Sequence, residues 1–366
     1  MQLSFLREEL LKPLSCVVGV VERRQTLPIL AYILLRHKDG RTTLTGTDLE
    51  IEITAEAKAS AKTAGEMTIP ARKLLDICRA LPEGSTVSIL KEGEKVLVKA
   101  GKSRFTLLTL PPTDFPSIQA IQWDQTVKIA QRDLKDLFEQ THFCMAQQDV
   151  RYYLNGLLIE LSGHTMRVVA TDGHRMAISE TTLHSTVKPE RQAIVPRKGV
   201  HEITRLLADI DDPVTVHLGA NHFCVQTDTL TFISKLIDGR YPDYNKVIPQ
   251  AQATLMRLDR ETFKEALSRA AILSSEKYRG VRLSVADKTI RITAHNPEQE
   301  EAQEEITADY SGQPVEIGFN VGYLIDAVSA LKTKDIVFTL IDANSSSLLY
   351  PTEGKYPQYI IMPMRL

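Results

Sequence analysis

Thr47-Asp48-Leu49-Glu50, Thr171-Asp172-Gly173-His174 and, more loosely, His295-Asn296-Pro297-Glu298 begin 124 residues apart in each step. A second trio recurs at nearly the same interval, 126 and then 124 residues. Ile69-Pro70-Ala71-Arg72-Lys73, Val195-Pro196-Arg197-Lys198-Gly199 and Phe319-Asn320-Val321-Gly322-Tyr323 each end an apolar strand and open a helix. A third marks the close of each copy, as Asp114-Phe115-Pro116, Arg240-Tyr241-Pro242-Asp243-Tyr244 and Lys355-Tyr356-Pro357-Gln358-Tyr359. Three copies in 366 residues leave about 122 each, a domain-sized unit rather than a solenoid repeat. The repeat predicts domains at 1–122, 123–250 and 251–366.

Around the first marker, Leu49, Ile51 and Ile53 alternate with Glu50, Glu52 and Thr54, the period of a half-buried strand. Upstream, Leu10, Leu14, Val17, Val18 and Val21 line one face of a helix expected over 7–24. Downstream, Leu74, Cys78 and Leu81 give a helix over 71–81 its buried side. Helices over 132–144, 197–207, 260–273 and 322–334 repeat this in copies two and three, and Tyr152 to Leu161 reads as a strand. Each copy is thus helix, strands, helix, strands. That is an α+β pattern in which two amphipathic helices cover antiparallel sheet.

Composition is that of a globular protein, with 43% hydrophobic and 25% charged residues. The apolar run Cys16 to Val21 is short and follows Arg7, Glu8, Glu9 and Lys12, so neither a signal peptide nor a membrane span is supported, and a cytoplasmic protein is expected. Cys16, Cys78, Cys144 and Cys224 lack Cys-x-x-Cys spacing and read as small core residues. The net charge of −2 argues against a wholly basic surface. Over the six expected helices the charge is +6, leaving −8 for the rest, so the helices are the basic part of an acidic chain.

The best catalytic candidate is Asp172-Gly173-His174-Arg175, which places a carboxylate beside an imidazole. No Gly-x-Ser-x-Gly elbow, His-Glu-x-x-His pair or phosphate-binding glycine loop accompanies it, and Asp and Gly in a loop commonly serve only the turn. Glu298, Glu300, Glu301, Glu304 and Glu305 are the residues a metal site would use; such a run is more often a solvated face. A hydrolase built on these Asp, His and Glu residues is therefore the lesser reading. Neither a cofactor nor a resident metal is expected.

Binding signals are stronger. Arg72 and Arg79 share one helix face, as do Lys198, His201 and Arg205, and repeated basic stripes can meet successive phosphates without reading bases. Gln147-Gln148-Asp149-Val150-Arg151-Tyr152-Tyr153 presents adjacent tyrosines with a cation, one facing the core and one available to nucleic acid if the segment is extended. On the helix over 260–273, Ile272 points about opposite to Phe263, Leu267 and Ala270, with Leu273 beside it, which suggests a subunit contact. The apolar end Tyr359-Ile360-Ile361-Met362-Pro363-Met364-Arg365-Leu366 reads either as tucked against sheet or as an adaptable partner surface.

Taken together, Leu27-Pro28-Ile29-Leu30, Gly46-Thr47-Asp48-Leu49-Glu50, Pro70-Ala71-Arg72-Lys73, Asp149-Val150-Arg151-Tyr152-Tyr153-Leu154-Asn155-Gly156, Ala170-Thr171-Asp172-Gly173-His174-Arg175, Asn296-Pro297-Glu298-Gln299-Glu300-Glu301 and Met362-Pro363-Met364-Arg365-Leu366 resemble the bacterial β sliding clamps. These are the processivity subunits of DNA polymerase III. The resemblance spans the whole chain. It implies a head-to-tail homodimeric ring whose helices line a hole around duplex DNA, opened by an ATP-driven loader.

Carried over by motif, Arg24, Arg72, Gln148, Tyr152 and Tyr153 match DNA-contacting positions, to which helix spacing adds Lys198 and Arg205. Ile272 and Leu273 match the subunit interface, against Phe105 and Leu107 of the other chain, with Glu298, Glu300, Glu301 and Glu304 facing Lys73, Lys102 and Arg104. The replicative polymerase, the loader, translesion polymerases, mismatch-repair proteins and ligase would insert short peptides into a pocket between copies two and three. From copy two it would take Leu154, Thr171, Gly173, His174, Arg175, Met176, Pro242, Lys246 and Val247. From copy three it would take Tyr278, Asn320, Tyr323, Ser346, Ile360, Ile361, Met362, Pro363, Met364 and Arg365. Met176, Lys246, Tyr278 and Asn344 depart from the family pattern, and 349–355 is expected to reshape an outer loop.

Overall fold

The computed structural model describes residues 1–21, 27–61, 63–116, 118, 121–249 and 254–365. Copy one runs β1 (Gln2–Leu6), α1 (Arg7–Val17), β2 (Tyr32–Lys38), β3 (Arg41–Thr47), β4 (Ile51–Ala57), β5 (Ser60–Ala61), β6 (Gly65–Pro70), α2 (Ala71–Ala80), β7 (Thr86–Glu92), β8 (Lys95–Ala100) and β9 (Ser103–Leu108). Copy two runs β10 (Trp123–Ala130), α3 (Gln131–Glu139), the long hairpin β11 (Gly156–Thr171) and β12 (Arg175–Pro196), α4 (Arg197–Leu206), β13 (Pro213–Gly219), β14 (His222–Gln226) and β15 (Leu230–Lys235). Copy three runs β16 (Thr254–Asp259), α5 (Arg260–Ala270), β17 (Gly280–Ala286), β18 (Thr289–His295), β19 (Glu301–Thr307), β20 (Val315–Asn320), α6 (Val321–Ala330), β21 (Asp335–Leu340), β22 (Ser347–Pro351) and β23 (Gln358–Ile361).

Each copy therefore opens on a strand that the helical periodicity had hidden. β1 pairs with β7, β10 with β13 and β16 with β21, so this strand always joins the one after the second helix. The helices are shorter than expected. α1 stops at Val17 and passes into a 3-10 turn over Val18–Val20, yet Leu10, Leu14, Val17, Val18 and Val21 are all buried as the periodicity required. With the observed bounds the six helices carry +3 rather than +6, because Lys332 and Lys334 lie beyond α6 and Arg23 and Arg24 lie outside the described residues.

Among the described residues all four sheets are antiparallel, and two of them cross copy boundaries. β5-β1-β7-β8-β9 belongs to copy one, and β19-β18-β17-β20 belongs to copy three. In β10-β13-β14-β15-β4-β3-β2-β6 the last strand of copy two pairs with β4 of copy one, and in β11-β12-β23-β22-β21-β16 the last strand of copy three pairs with β12 of copy two. Compact units follow these sheets rather than the repeat. One comprises Met1–Arg132 with His201–Leu236, and the other Asp133–Val200 with Ile237–Leu366. In the first, Leu10, Leu14 and Val17 of α1 lie buried with Leu74 and Cys78 of α2; in the second, Phe263 and Leu267 of α5 do so with Leu324 and Val328 of α6. No described helix is long and apolar enough to cross a membrane.

Two local expectations change. Tyr152–Asn155 is a 3-10 turn, not strand, because Asn155 ties back to Asp149 through both its amide oxygen and its amide nitrogen, each at 2.9 Å. Leu349–Pro351 is the end of β22, paired with β21, so only 352–355 of the segment expected as a loop is one.

Candidate functional site

The repeated Thr-Asp motif is one hydrogen-bonded turn made twice. Thr171 Oγ1 donates to the Arg175 carbonyl at 2.7 Å and accepts from Gly173 N at 3.1 Å, while Asp172 Oδ1 accepts from His174 N and Arg175 N at 2.9 and 3.0 Å. Thr47 and Asp48 repeat these four bonds to Ile51, Leu49 and Glu50 at 2.7 to 3.1 Å. The turn closes the β11–β12 hairpin and presents its outer rim as backbone. That rim is one wall of a cavity of about 250 Å³.

Leu154, Met176 and Ile360, buried among neighbouring core residues, give the cavity an apolar base. Around them stand Thr171, Gly173, His174, Arg175, Pro242, Lys246, Val247 and Met362. Val247 and Met362 are exposed, at 38% each, so apolar surface continues to the rim. Filling such a site with one aliphatic side chain is worth about 1.5–3 kcal/mol. Arg151, Tyr153, Asp243 and Tyr244 also line it and were not foreseen as wall residues.

Arg175 joins the wall to the helix behind it. Its guanidinium bonds Asp326 at 2.5 Å, Asp172 at 3.1 Å and the Phe143 carbonyl at 2.8 Å, and it lies 4.4 Å from the Tyr323 ring centroid. Tyr323 thus supports the wall from behind. Tyr244 is fixed at the opposite side, donating to Glu160 and accepting from Arg167 at 3.1 Å. Burial, reinforced by the Glu160 contact, pushes its phenol up to about 12. Such satisfied polar networks hold a wall in one shape.

The remaining expected pocket residues sit around the cavity rather than in its wall. Asn320 caps α6, accepting from Gly322 N at 2.9 Å, and reaches the Tyr278 carbonyl. Tyr278 is exposed, with the Lys277 ammonium 5.0 Å from its ring. Ile361 is buried in β23, and Met364 N bonds the Gly318 carbonyl at 2.8 Å. Ser346, Pro363 and Arg365 do not line the cavity, and exposed Asn344 belongs to a turn capped by Asp342. The chain's last residues are both tucked in, through β23, and surface-forming, through Met362.

Of the basic and aromatic candidates, Arg72 and Lys198 are exposed on α2 and α4. Arg72 donates to the Val21 carbonyl at 2.7 Å, and Arg205 pairs with Glu202 at 2.8 Å while reaching the Cys16 carbonyl at 3.1 Å. Gln148 is exposed with φ +57°, and Tyr152 is 58% exposed. Tyr153 is the inward member of the pair: it packs on the core behind the cavity and lines its wall. Arg24 lies outside the described residues.

The catalytic and metal readings lose their residues to structure. Both Asp172 oxygens are committed to the turn and to Arg175. Glu304 grips Arg269 at 2.8 and 3.0 Å, Glu305 meets Arg291 at 3.3 Å and Glu300 holds the Asn296 amide at 2.6 Å. Among the described residues no three His, Cys, Asp or Glu side chains converge as a metal site.

Comparison with known proteins matches the chain three times over. Residues 1–119, 128–243 and 245–365 match the N-terminal, central and C-terminal domains of the DNA polymerase III beta subunit. The beta sliding clamps of Pseudomonas putida and Escherichia coli are 48% and 46% identical to it over the full length of both chains. The chain belongs to the DNA polymerase III β subunit family. Solved sliding clamps agree: one from Pseudomonas aeruginosa bound to griselimycin superposes with a TM-score of 0.98 at 48% identity, and Caulobacter crescentus pol III beta with 0.94 at 36%, each covering all of both chains. As a sliding clamp the protein is a non-catalytic processivity subunit that works with DNA and the polymerase, and offers a hub for peptides.

The residues expected at a clamp's subunit interface lie on two edge strands, β9 and β19, and on the helix, turn and loop positions Lys73, Ile272, Leu273, Lys102, Glu298 and Glu300. β9 is one of the two outer strands of the five-stranded sheet and carries exposed Arg104, with Lys102 exposed just before it, and Lys73 is exposed on α2. Phe105 is half-buried, whereas Leu107 is 9% exposed and serves its own sheet; Leu108, 65% exposed, is the outward leucine. β19, which opens on exposed Glu301, is one of the two outer strands of the four-stranded sheet, and Glu298 and Glu300 are exposed just before it. Glu304, bound to Arg269, is engaged within its own chain. Ile272 is 77% exposed on a 3-10 turn after α5, and Leu273 is half-buried.

Proposed function

We propose that two copies close head to tail into a ring around duplex DNA. The observation that carries this is the pairing rule inside the chain: the strand after the first turn motif pairs with the last strand of the next copy, as β4 with β15 and β12 with β23. Applied once more, the rule gives β19 the last strand of a following copy one, which is β9, and both are unmated edges. Exposed edges of this kind demand a partner or protection. Opposite charges, Lys102 and Arg104 against Glu298, Glu300 and Glu301, favour this pairing, and Ile272, Leu273, Phe105 and Leu108 supply its apolar contact. Repeat boundaries near 122 and 250 fit the same scheme.

Within the ring, Arg72, Gln148, Tyr152, Lys198 and Arg205 meet phosphates weakly and without regard to sequence, which permits sliding. The cavity at the β11–β12 turn takes short peptides from the replicative polymerase, the ATP-driven loader, translesion polymerases, mismatch-repair proteins and ligase. The protein acts in the cytoplasm. Val247→Ala with Met362→Ala removes exposed cavity-rim contacts at little cost to the core. Polymerase affinity, measured by surface plasmon resonance, should fall by about tenfold or more, since roughly 1.4 kcal/mol per decade is less than two such contacts provide. Unchanged affinity would take the cavity out of this reading.

A further inference from the structure

The first copy of the Thr-Asp turn borders its own cavity, of about 570 Å³, lined by Leu49, Glu52, Pro116, Ile118, Ile121 and Lys235 among others. We propose that this cavity is a second peptide-docking site, one that takes an extended segment alternating apolar and basic residues. Its choice of a peptide as occupant rests on the reading of the β11–β12 cavity above. The two cavities are the same construction. Thr47 pairs with Glu52 as Thr171 pairs with Met176, and Glu52 pairs with Ile233 as Met176 pairs with Ile360. Lys235 N donates to the Glu50 carbonyl at 2.8 Å as Met362 N donates to that of His174 at 3.0 Å. Pro116 follows a buried Phe115 as Pro242 follows a buried Tyr241, and each proline lines its cavity.

Three replacements set the first cavity apart. Where the second turn has Gly173 at φ +89°, the first has Leu49 at φ +77°, a conformation that a branched side chain adopts only against a steric penalty. Leu49 is 40% exposed and lines the cavity, so the strain goes into presenting an apolar group rather than into the core. Glu52 stands in the place of Met176, and Lys235 in that of Met362. Lys235 is already engaged by Glu50 at 3.3 Å. The Glu52 carboxylate accepts from the Ile118 backbone, and burial raises it, so a cation arriving from a ligand relieves a charge the cavity itself holds at cost. Leu49, Ile118 and Ile121 offer the apolar contacts between which that cation would sit.

The test uses full-length protein carrying Val247→Ala and Met362→Ala, which weakens the sister cavity, and a fluorescein-labelled pentapeptide of alternating leucine and lysine. Fluorescence polarisation should show one saturable site per chain. Leu49→Gly, which installs the residue of the sister turn and relieves the backbone, should weaken it about tenfold, as should Glu52→Gln; the leucine–glutamate pentapeptide should bind at least tenfold more weakly. No saturable binding, or binding indifferent to both Leu49→Gly and Glu52→Gln, overturns the proposal. Binding by unsubstituted protein that disappears with Val247→Ala and Met362→Ala also overturns it, and leaves the sister cavity's peptide reading standing. Binding that depends on Leu49 and Glu52 supports the proposal even if those rim substitutions leave polymerase affinity unchanged.

Discussion

Side-chain hydrogen bonds to nearby backbone decide several of the positions on which this protein's surfaces depend. Thr171 and Asp172 spend their polar atoms on one reversal of the chain, which is why a carboxylate next to an imidazole makes a rim and not a catalytic pair. Asp149 does similar work for the loop that presents Gln148 and Tyr152, accepting from Arg151 N at 2.8 Å, from its Nε at 3.0 Å and from a terminal guanidinium nitrogen at 2.9 Å. The Arg151 contacts hold this carboxyl at about 2. Because the folded value lies below the ordinary one of roughly 3.9, the loop's order is fully present above that value and is lost only as pH falls through the folded one. Followed by NMR from pH 7 down to 3, the Arg151 amide resonance should hold its position; a midpoint near 4 would contradict the assignment. Lone residues were legible where chemistry repeats, as at Thr47 and Thr171. Tyr153 packs inward and Tyr152 outward as alternation suggested, although the segment that carries them is a 3-10 turn rather than a strand.

At the scale of elements, apolar periodicity located all six helices but overran their ends. At α1 it continues through a 3-10 turn that buries Val18 and Val20, so the signal runs past the hydrogen bonding, whereas the 3-10 turn after α5 buries none of its residues. The first strand of each copy is masked in the sequence because it leads straight into a helix, whose periodicity takes over at once. Pairing across copies was equally hidden: sequence separates β4 from β15 by a whole domain, and nothing local in either strand names its partner. Ile272 is the counterexample, an apolar residue whose angle on a helical wheel correctly announced exposure. Replacing Ile272→Ala and Leu273→Ala should leave each chain folded and shift the sedimentation mass from dimer to monomer at micromolar concentration. A mass unchanged by both substitutions would show that the contact lies elsewhere.

For the whole molecule, hold on DNA by the proposed ring is a matter of topology rather than affinity. The described helices carry only +3, and Arg205 is partly spent on Glu202, a modest charge with which to grip a phosphate backbone. A closed ring needs no such grip. Its retention depends on whether the DNA has an end, which no open or simply adhesive protein can imitate. The direct measurement is to load the protein with a family clamp loader and ATP onto nicked circular plasmid, remove free protein by gel filtration, and cut half the sample once with a restriction enzyme. A closed ring should stay with the circle and leave the linear DNA within minutes. Equal retention on both, or equal loss from both, would contradict it.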